Sequence, residues 1–201
     1  MRYLICFLLL LPLALCANGQ TYADSIAQYR KQYIADLTGD ARAPVKPSQV
    51  NGLNFYKPDH SYCVWGAFKE TPGSVPFMIA THSGKKKPFR EYGTVTFAIH
   101  DTSMTLHIYQ SIDLVKVEGH KDDLFIPFTD ETNYDFTFGG GRYLDLSIKD
   151  IKNGMLLLDF NKCYNPYCAY ADGYSCPIPP SENRLHIEIL AGEKLFTRET
   201  N

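Results

Sequence analysis

The chain has 201 residues, a formal net charge of -2 and a hydrophobic fraction of 45%, with 14 Tyr and 12 Phe. That is enough apolar material for the core of one domain. The near-neutral charge excludes the basic field that nucleic acid or anionic lipid would require.

In chain order, Met1-Arg2 supply a positive start, Tyr3 to Leu15 an apolar run, and Ala17-Asn18-Gly19 small residues before Gln20. This pattern predicts a signal peptide over 1–19 and export to a periplasm or cell surface. The run is shorter than the ~20 residues that span a bilayer, and Pro12 interrupts it. Leu13-Ala14-Leu15-Cys16 offers an alternative, a lipid anchor at Cys16, although Leu15 is bulky for a lipoprotein box. Residues 20–201 are expected to form a single domain.

Tyr22, Ile26, Tyr29, Tyr33, Ile34 and Leu37 recur at helical spacing, and Thr38-Gly39 follows them. They predict one amphipathic helix lying across a sheet. After a proline-bearing connection over 41–49, strands are expected near 61–69, 76–81, 92–100, 104–110, 124–128, 142–148, 155–161 and 184–190. The basic run Lys85-Lys86-Lys87, beside Gly84 and Pro88, reads as a solvated turn. The expected fold is mainly β: a single-domain antiparallel β-sandwich or barrel-like sheet with one N-terminal amphipathic α-helix.

Side-chain parity registers two hairpins. The first turns over 101–104, pairs His100 with Thr105, and gathers Val95, Phe97, Ile99, Leu106 and Ile108 on one face. His100 and His107 then become diagonal neighbours on the other face. The second joins 142–148 to 155–161 through Asn153-Gly154 and places Tyr143, Asp145, Ser147, Asp159 and Asn161 opposite the leucines. Asp145 would lie against Asp159, and opposed like charges need a cation, a shared proton or solvent. Arg142 and Arg184 are the candidate cations, and a divalent metal is the alternative. Phe138-Gly139-Gly140-Gly141-Arg142 reads as a tight turn, since the phosphate-loop pattern is missing. No Gly-x-Ser-x-Gly elbow occurs, and neither a cofactor nor a metal centre is assigned.

Beyond the leader the cysteines are Cys63, Cys163, Cys168 and Cys176. An even count in an oxidising compartment points to disulfides, and three connectivities are open. Cys168 with Cys176 is the local choice, leaving Cys63 with Cys163. Zinc is disfavoured because the spacing holds no Cys-x2-Cys pair and no nearby His.

The stretches Phe138-Gly139-Gly140-Gly141-Arg142-Tyr143-Leu144-Asp145, Leu158-Asp159-Phe160-Asn161 with Asn165-Pro166-Tyr167-Cys168, and Cys176-Pro177 through Glu182-Asn183-Arg184-Leu185 resemble the bacterial family known as domain of unknown function 1684. The resemblance implies exported proteins and lipoproteins but no reaction. It supports Cys168 with Cys176 as the basic pair. Lys162-Cys163-Tyr164 departs from its pattern, which makes Cys163 and Cys63 a local addition.

The candidate ligand-binding residues are Arg142, Tyr143, Asp145, Asp159, Asn161, Asn165, Glu182, Asn183 and Arg184, on the 142–161 hairpin and the 163–184 loop above it. The leading expectation is a non-catalytic binding or envelope-associated module whose partner is a carbohydrate or another envelope component. One alternative is a hydrolase of envelope glycans using Asp145 or Asp159 with Glu182, which requires carboxyls about 5–9 Å apart. The other is an internal polar network without a ligand.

Overall fold

The computed structural model describes residues 21–40 and 42–198. The expected signal peptide at 1–19 and the alternative anchor at Cys16 lie outside the described residues.

Helix α1 spans Tyr22–Thr38 and begins with a reciprocal cap. The Thr21 hydroxyl accepts from the Asp24 N–H, and the Asp24 carboxylate accepts from the Thr21 N–H, both at 3.1 Å. Such a cap satisfies two otherwise unpaired donors and is worth about 1 kcal/mol. The expected stripe faces the protein: Ile26 and Leu37 are buried, while Tyr22, Tyr29, Tyr33 and Ile34 are half-buried.

Seven strands follow: β1 (Cys63–Glu70), β2 (Phe77–Ala80), β3 (Lys86–Ile99), β4 (Thr102–Ser111), β5 (Asp123–Phe128), β6 (Arg142–Ser147) and β7 (Met155–Asp159). They form one antiparallel, curled half-barrel in the order β6-β5-β4-β3-β1-β7, with β2 added to β3. The concave interior holds Val95, Phe97, Ile99, Leu106, Ile108, Ile126, Leu144, Leu156 and Leu158. Each such side chain contributes about 1.5–3 kcal/mol on burial. A bulge between Glu91 and Gly93 switches which residues of β3 face inward. Val95 therefore joins the main core, whereas Phe89 joins Ile79 and Tyr109 in a second cluster on the back face. Lys85 lies in the β2–β3 turn, and the exposed Lys86 and Lys87 begin β3.

The β3–β4 hairpin keeps the expected faces in a shifted register. Ile99 pairs with Thr102 and Thr96 with Thr105, so the turn is His100-Asp101, both at positive φ (48° and 64°). A two-residue turn with two positive φ values matches the twist of the strands it joins. His100 therefore sits at the tip, edge-on to Tyr62, while His107 lies opposite Thr94. The expected histidine pair does not form.

The 142–161 hairpin does not form either. β6 pairs with β5 and β7 with β1, at opposite ends of the strand order. The cause is local. The Ser147 hydroxyl accepts from the Lys149 N–H, and Asp150 accepts from the Ser147 N–H, starting a helical turn over Ile148–Asp150 that ends the strand. Asn153-Gly154 still turns the chain, but it closes only Lys152 onto Met155. The parity survives, with Leu144, Leu146, Leu156 and Leu158 still facing the core.

Residues 184–190 are not a sheet strand. They run beside 129–131, with the Leu185 N–H donating to Thr129 O at 2.8 Å and the Glu131 N–H to Ile187 O at 3.0 Å. Their Leu185 and Ile189 fill the core instead.

Candidate functional site

Three residues along β6 separate two different polar environments. Arg142 points into the core and has no exposed surface. Its guanidinium donates to Asp130 Oδ2 at 2.7 Å and to the carbonyls of Ala191 at 2.6 Å, Ile189 at 2.9 Å and Glu193 at 3.3 Å. Only Nε lacks a partner among the described residues. Asp130 in turn accepts from the Thr132 N–H at 2.9 Å and the Ile189 N–H at 3.3 Å. The expected role of Arg142 as a cation between Asp145 and Asp159 is thus corrected: it clamps the C-terminal segment to the sheet.

The amides of the candidate set are used the same way. Asn183 bridges two diverging strands. Its Oδ1 accepts from the His107 N–H at 2.7 Å, and its Nδ2 donates to His107 O and Pro127 O, both at 2.9 Å. Asn161 pairs with both backbone groups of Asp59, at 2.7 and 2.8 Å. Asn165 donates to Lys194 O through Nδ2 and to Glu193 Oε2 through its N–H. All three are buried. A buried amide that mimics a strand partner satisfies backbone groups whose desolvation would otherwise cost about 1–3 kcal/mol each.

The carboxylates follow a second rule, in which tyrosines donate to them. Tyr22 of α1 donates to Asp159 at 2.7 Å. Tyr170 donates to Glu193 at 2.7 Å, and Tyr33 of α1 donates to it at 3.0 Å. Tyr109 donates to Glu182 at 3.1 Å, and Tyr164 donates to Asp145 at 2.6 Å. Together with Tyr29, which donates to Lys162 O at 3.0 Å, the Tyr22 and Tyr33 contacts staple α1 onto the chain that follows β7. Glu193 is completely buried, and desolvation pushes its pKa up to about 7 against the opposing pull of its donors.

Asp159 and Asp145 are therefore not opposed. Asp159 pairs across β1–β7 with Cys63, and Asp145 across β5–β6 with Phe125. Asp159 is nearly covered, whereas Asp145 keeps an open surface. Around it, Tyr143 packs edge-on to Tyr164 at 5.8 Å, and Tyr33 lies 5.7 Å from the Tyr164 ring. Its charge reaches Tyr29, Tyr143, Tyr164 and Tyr167. Desolvation by this surrounding protein raises the Asp145 pKa, the Tyr164 hydrogen bond opposes that shift, and Asp123 adds to it. Asp145 is thus an exposed carboxylate crowded by neighbouring tyrosines. Oδ2 is taken by Tyr164, and Oδ1 has no hydrogen-bond partner among the described residues.

Tyr143 itself is buried, its hydroxyl donating to Pro177 O, so the proline loop does cover β6 as expected. Arg184 is exposed and lies 3.5 Å from Glu131, away from both aspartates. Cys168 and Cys176 are bridged, with Cα atoms 6.3 Å apart. Cys63 and Cys163 are not, which corrects the second expected disulfide. Cys63 sits beside Tyr22 and Asp159, while the turn Phe160–Lys162 carries Cys163 inward until its sulfur faces Ala191 O. Burial pushes the Cys163 thiol up to about 11.

Sequence reasoning missed Asp130, Glu193, Tyr22, Tyr33 and Tyr170 as members of the polar framework. The spacing of the helix tyrosines was visible, but their partners lie more than 130 positions away.

The family model for proteins of unknown function, DUF1684, matches residues 48–194. The chain belongs to the DUF1684 family. The match covers every strand and all the candidate residues. This DUF1684 chain is also similar to the solution NMR structure of an uncharacterised protein from gene locus rrnAC0354 of Haloarcula marismortui. The two share 27% identity and a TM-score of 0.66, covering 85% of this chain and 92% of that one. No curated protein matches.

Proposed function

We propose that this DUF1684 protein is an exported, non-catalytic binding module whose site is the exposed surface around Asp145. The supporting observation is Asp145 itself. Among the candidate residues it joins an open carboxylate oxygen to a set of tyrosine rings, whereas Arg142, Asn161, Asn165 and Asn183 are consumed by internal bonds. A carboxylate that accepts hydroxyl protons, next to aromatic faces, suits a carbohydrate of an envelope. The leader pattern at 1–19 and the Cys168–Cys176 bridge support export, because disulfides persist in oxidising compartments. Nothing in the geometry favours hydrolysis by Asp145 or Asp159 with Glu182: each of the three carboxylates answers to a different tyrosine, and Asp159 is nearly covered.

The test is a glycan array followed by calorimetric titration of the best binder. Asp145→Asn or Tyr164→Phe is expected to weaken binding at least tenfold, about 1.4 kcal/mol, without lowering the melting temperature. An array with no binder, or a binder indifferent to both substitutions, overturns the reading.

A further inference from the structure

A second site opens on the other side of β4. This strand pairs with β3 along its whole length but with β5 only at Tyr109. Beyond that pair the two strands diverge, and the Asn183 side chain bridges the fork at its apex. Past the apex a groove of about 270 Å³ separates 102–105 of β4 from 184–187.

One wall is a backbone edge, and its polarity follows from the bonds at the apex. The N–H and carbonyl of His107 both point away from β3, because Asn183 takes them. Alternate residues of a strand direct their backbone groups to the same side. Ser103 and Thr105 therefore turn their N–H and C=O groups into the groove, and none of these has a partner among the described residues. The opposite wall is irregular: the Leu185 N–H and the Ile187 carbonyl bond outward to 129–131, and the chain bends at His186 and Ile187.

The floor and rim restrict the occupant. Leu185 belongs to the core and Met104 and Ile187 pack against it, so the floor is apolar. At the rim Glu131 lies 3.5 Å from Arg184, whose charge it balances, and 3.6 Å from His186, and Thr102, Ser103 and Thr105 are neutral.

We propose that this groove is a strand-addition site for a short, uncharged, extended peptide segment of a partner protein. The segment's backbone bonds to Ser103 and Thr105 of β4, with small apolar side chains at alternate positions over Met104 and Ile187. Four residues in such a strand span roughly 13 Å, the length of 102–105. Affinity comes from the main chain and selectivity from the alternate inward positions. This site is separate from the surface around Asp145, and neither reading depends on the other.

The test uses the full chain and a phage-displayed library of random linear peptides. An enriched peptide, made synthetically, is measured by fluorescence anisotropy. Hydrogen exchange should show new protection at the Ser103 and Thr105 amides. N-methylation of alternate peptide residues should weaken binding at least tenfold, and methylation of the intervening ones should not. Thr105→Pro, which removes a groove-facing donor together with the hydroxyl bond between Thr105 and Thr96, should weaken binding by a similar factor. The peptide scan on the unaltered protein decides the matter if that variant fails to fold. Failure to enrich any peptide, indifference to N-methylation, or protection elsewhere overturns the proposal. So does dimerisation of the free protein with protection of the same two amides, which would make a second copy the occupant.

Discussion

Arg142 and Asp145 stand three residues apart on one strand and have opposite fates. Arg142 faces the core, where Asp130 and three carbonyls take up its charge, while Asp145 faces the back of the sheet with one oxygen free. The pleat accounts for the difference, since residues an odd number apart emerge on opposite faces. A charged residue in a motif therefore says little about ligand binding until its face is known. On one side it serves as internal mortar, and on the other it remains available.

The largest expected effect breaks the internal side of this comparison. Arg142→Met leaves Asp130 buried without its cation and is expected to cost about 3–5 kcal/mol in urea denaturation. A loss below about 1 kcal/mol would show that the pair is not the clamp described. The next effect concerns Glu193. It keeps its proton to about pH 7 when folded and releases it near 4.5 when unfolded, so the folded state binds more protons between those values. Its contribution is complete below about pH 4.5 and is lost as pH rises through 7. Relative to Glu193→Gln, the parent chain should lose about 3 kcal/mol across that window. Parallel stability curves for the two proteins would contradict this. The smallest effect sharpens the open side: Asp145→Asn should change stability by less than about 0.5 kcal/mol in the same denaturation assay, as expected for a group whose work lies outside the fold. A loss approaching that of Arg142→Met would place Asp145 with the internal mortar.

Much of the fold was legible because periodicity is a local signal. The helix stripe from Tyr22 to Leu37 and the alternation in β3, β4, β6 and β7 assigned faces that survive in the structure. Strand partners were not legible. The reading of Asn153-Gly154 as a hairpin overlooked the competing Ser147–Asp150 capping box, which stops β6 before a hairpin can propagate. The Cys63–Cys163 pairing failed for a related reason: counting leftover cysteines ignores the direction of their Cβ atoms, and a turn of three residues sends Cys163 into the core. The candidate set was chosen by composition, and composition does not separate Asn183 bridging two strands from Asp145 facing solvent.

By itself the sequence determined the β-rich class, the single helix, the inward faces of β3, β4, β6 and β7 and the local Cys168–Cys176 bridge, all of which depend on neighbours within a few residues. Only the tertiary structure decided that β6 and β7 lie at opposite ends of the sheet, that Arg142 seeks Asp130, and that helix tyrosines cap distant carboxylates. Those outcomes depend on contacts between segments up to 160 positions apart, where many pairings satisfy the same pattern and only packing the whole chain selects among them.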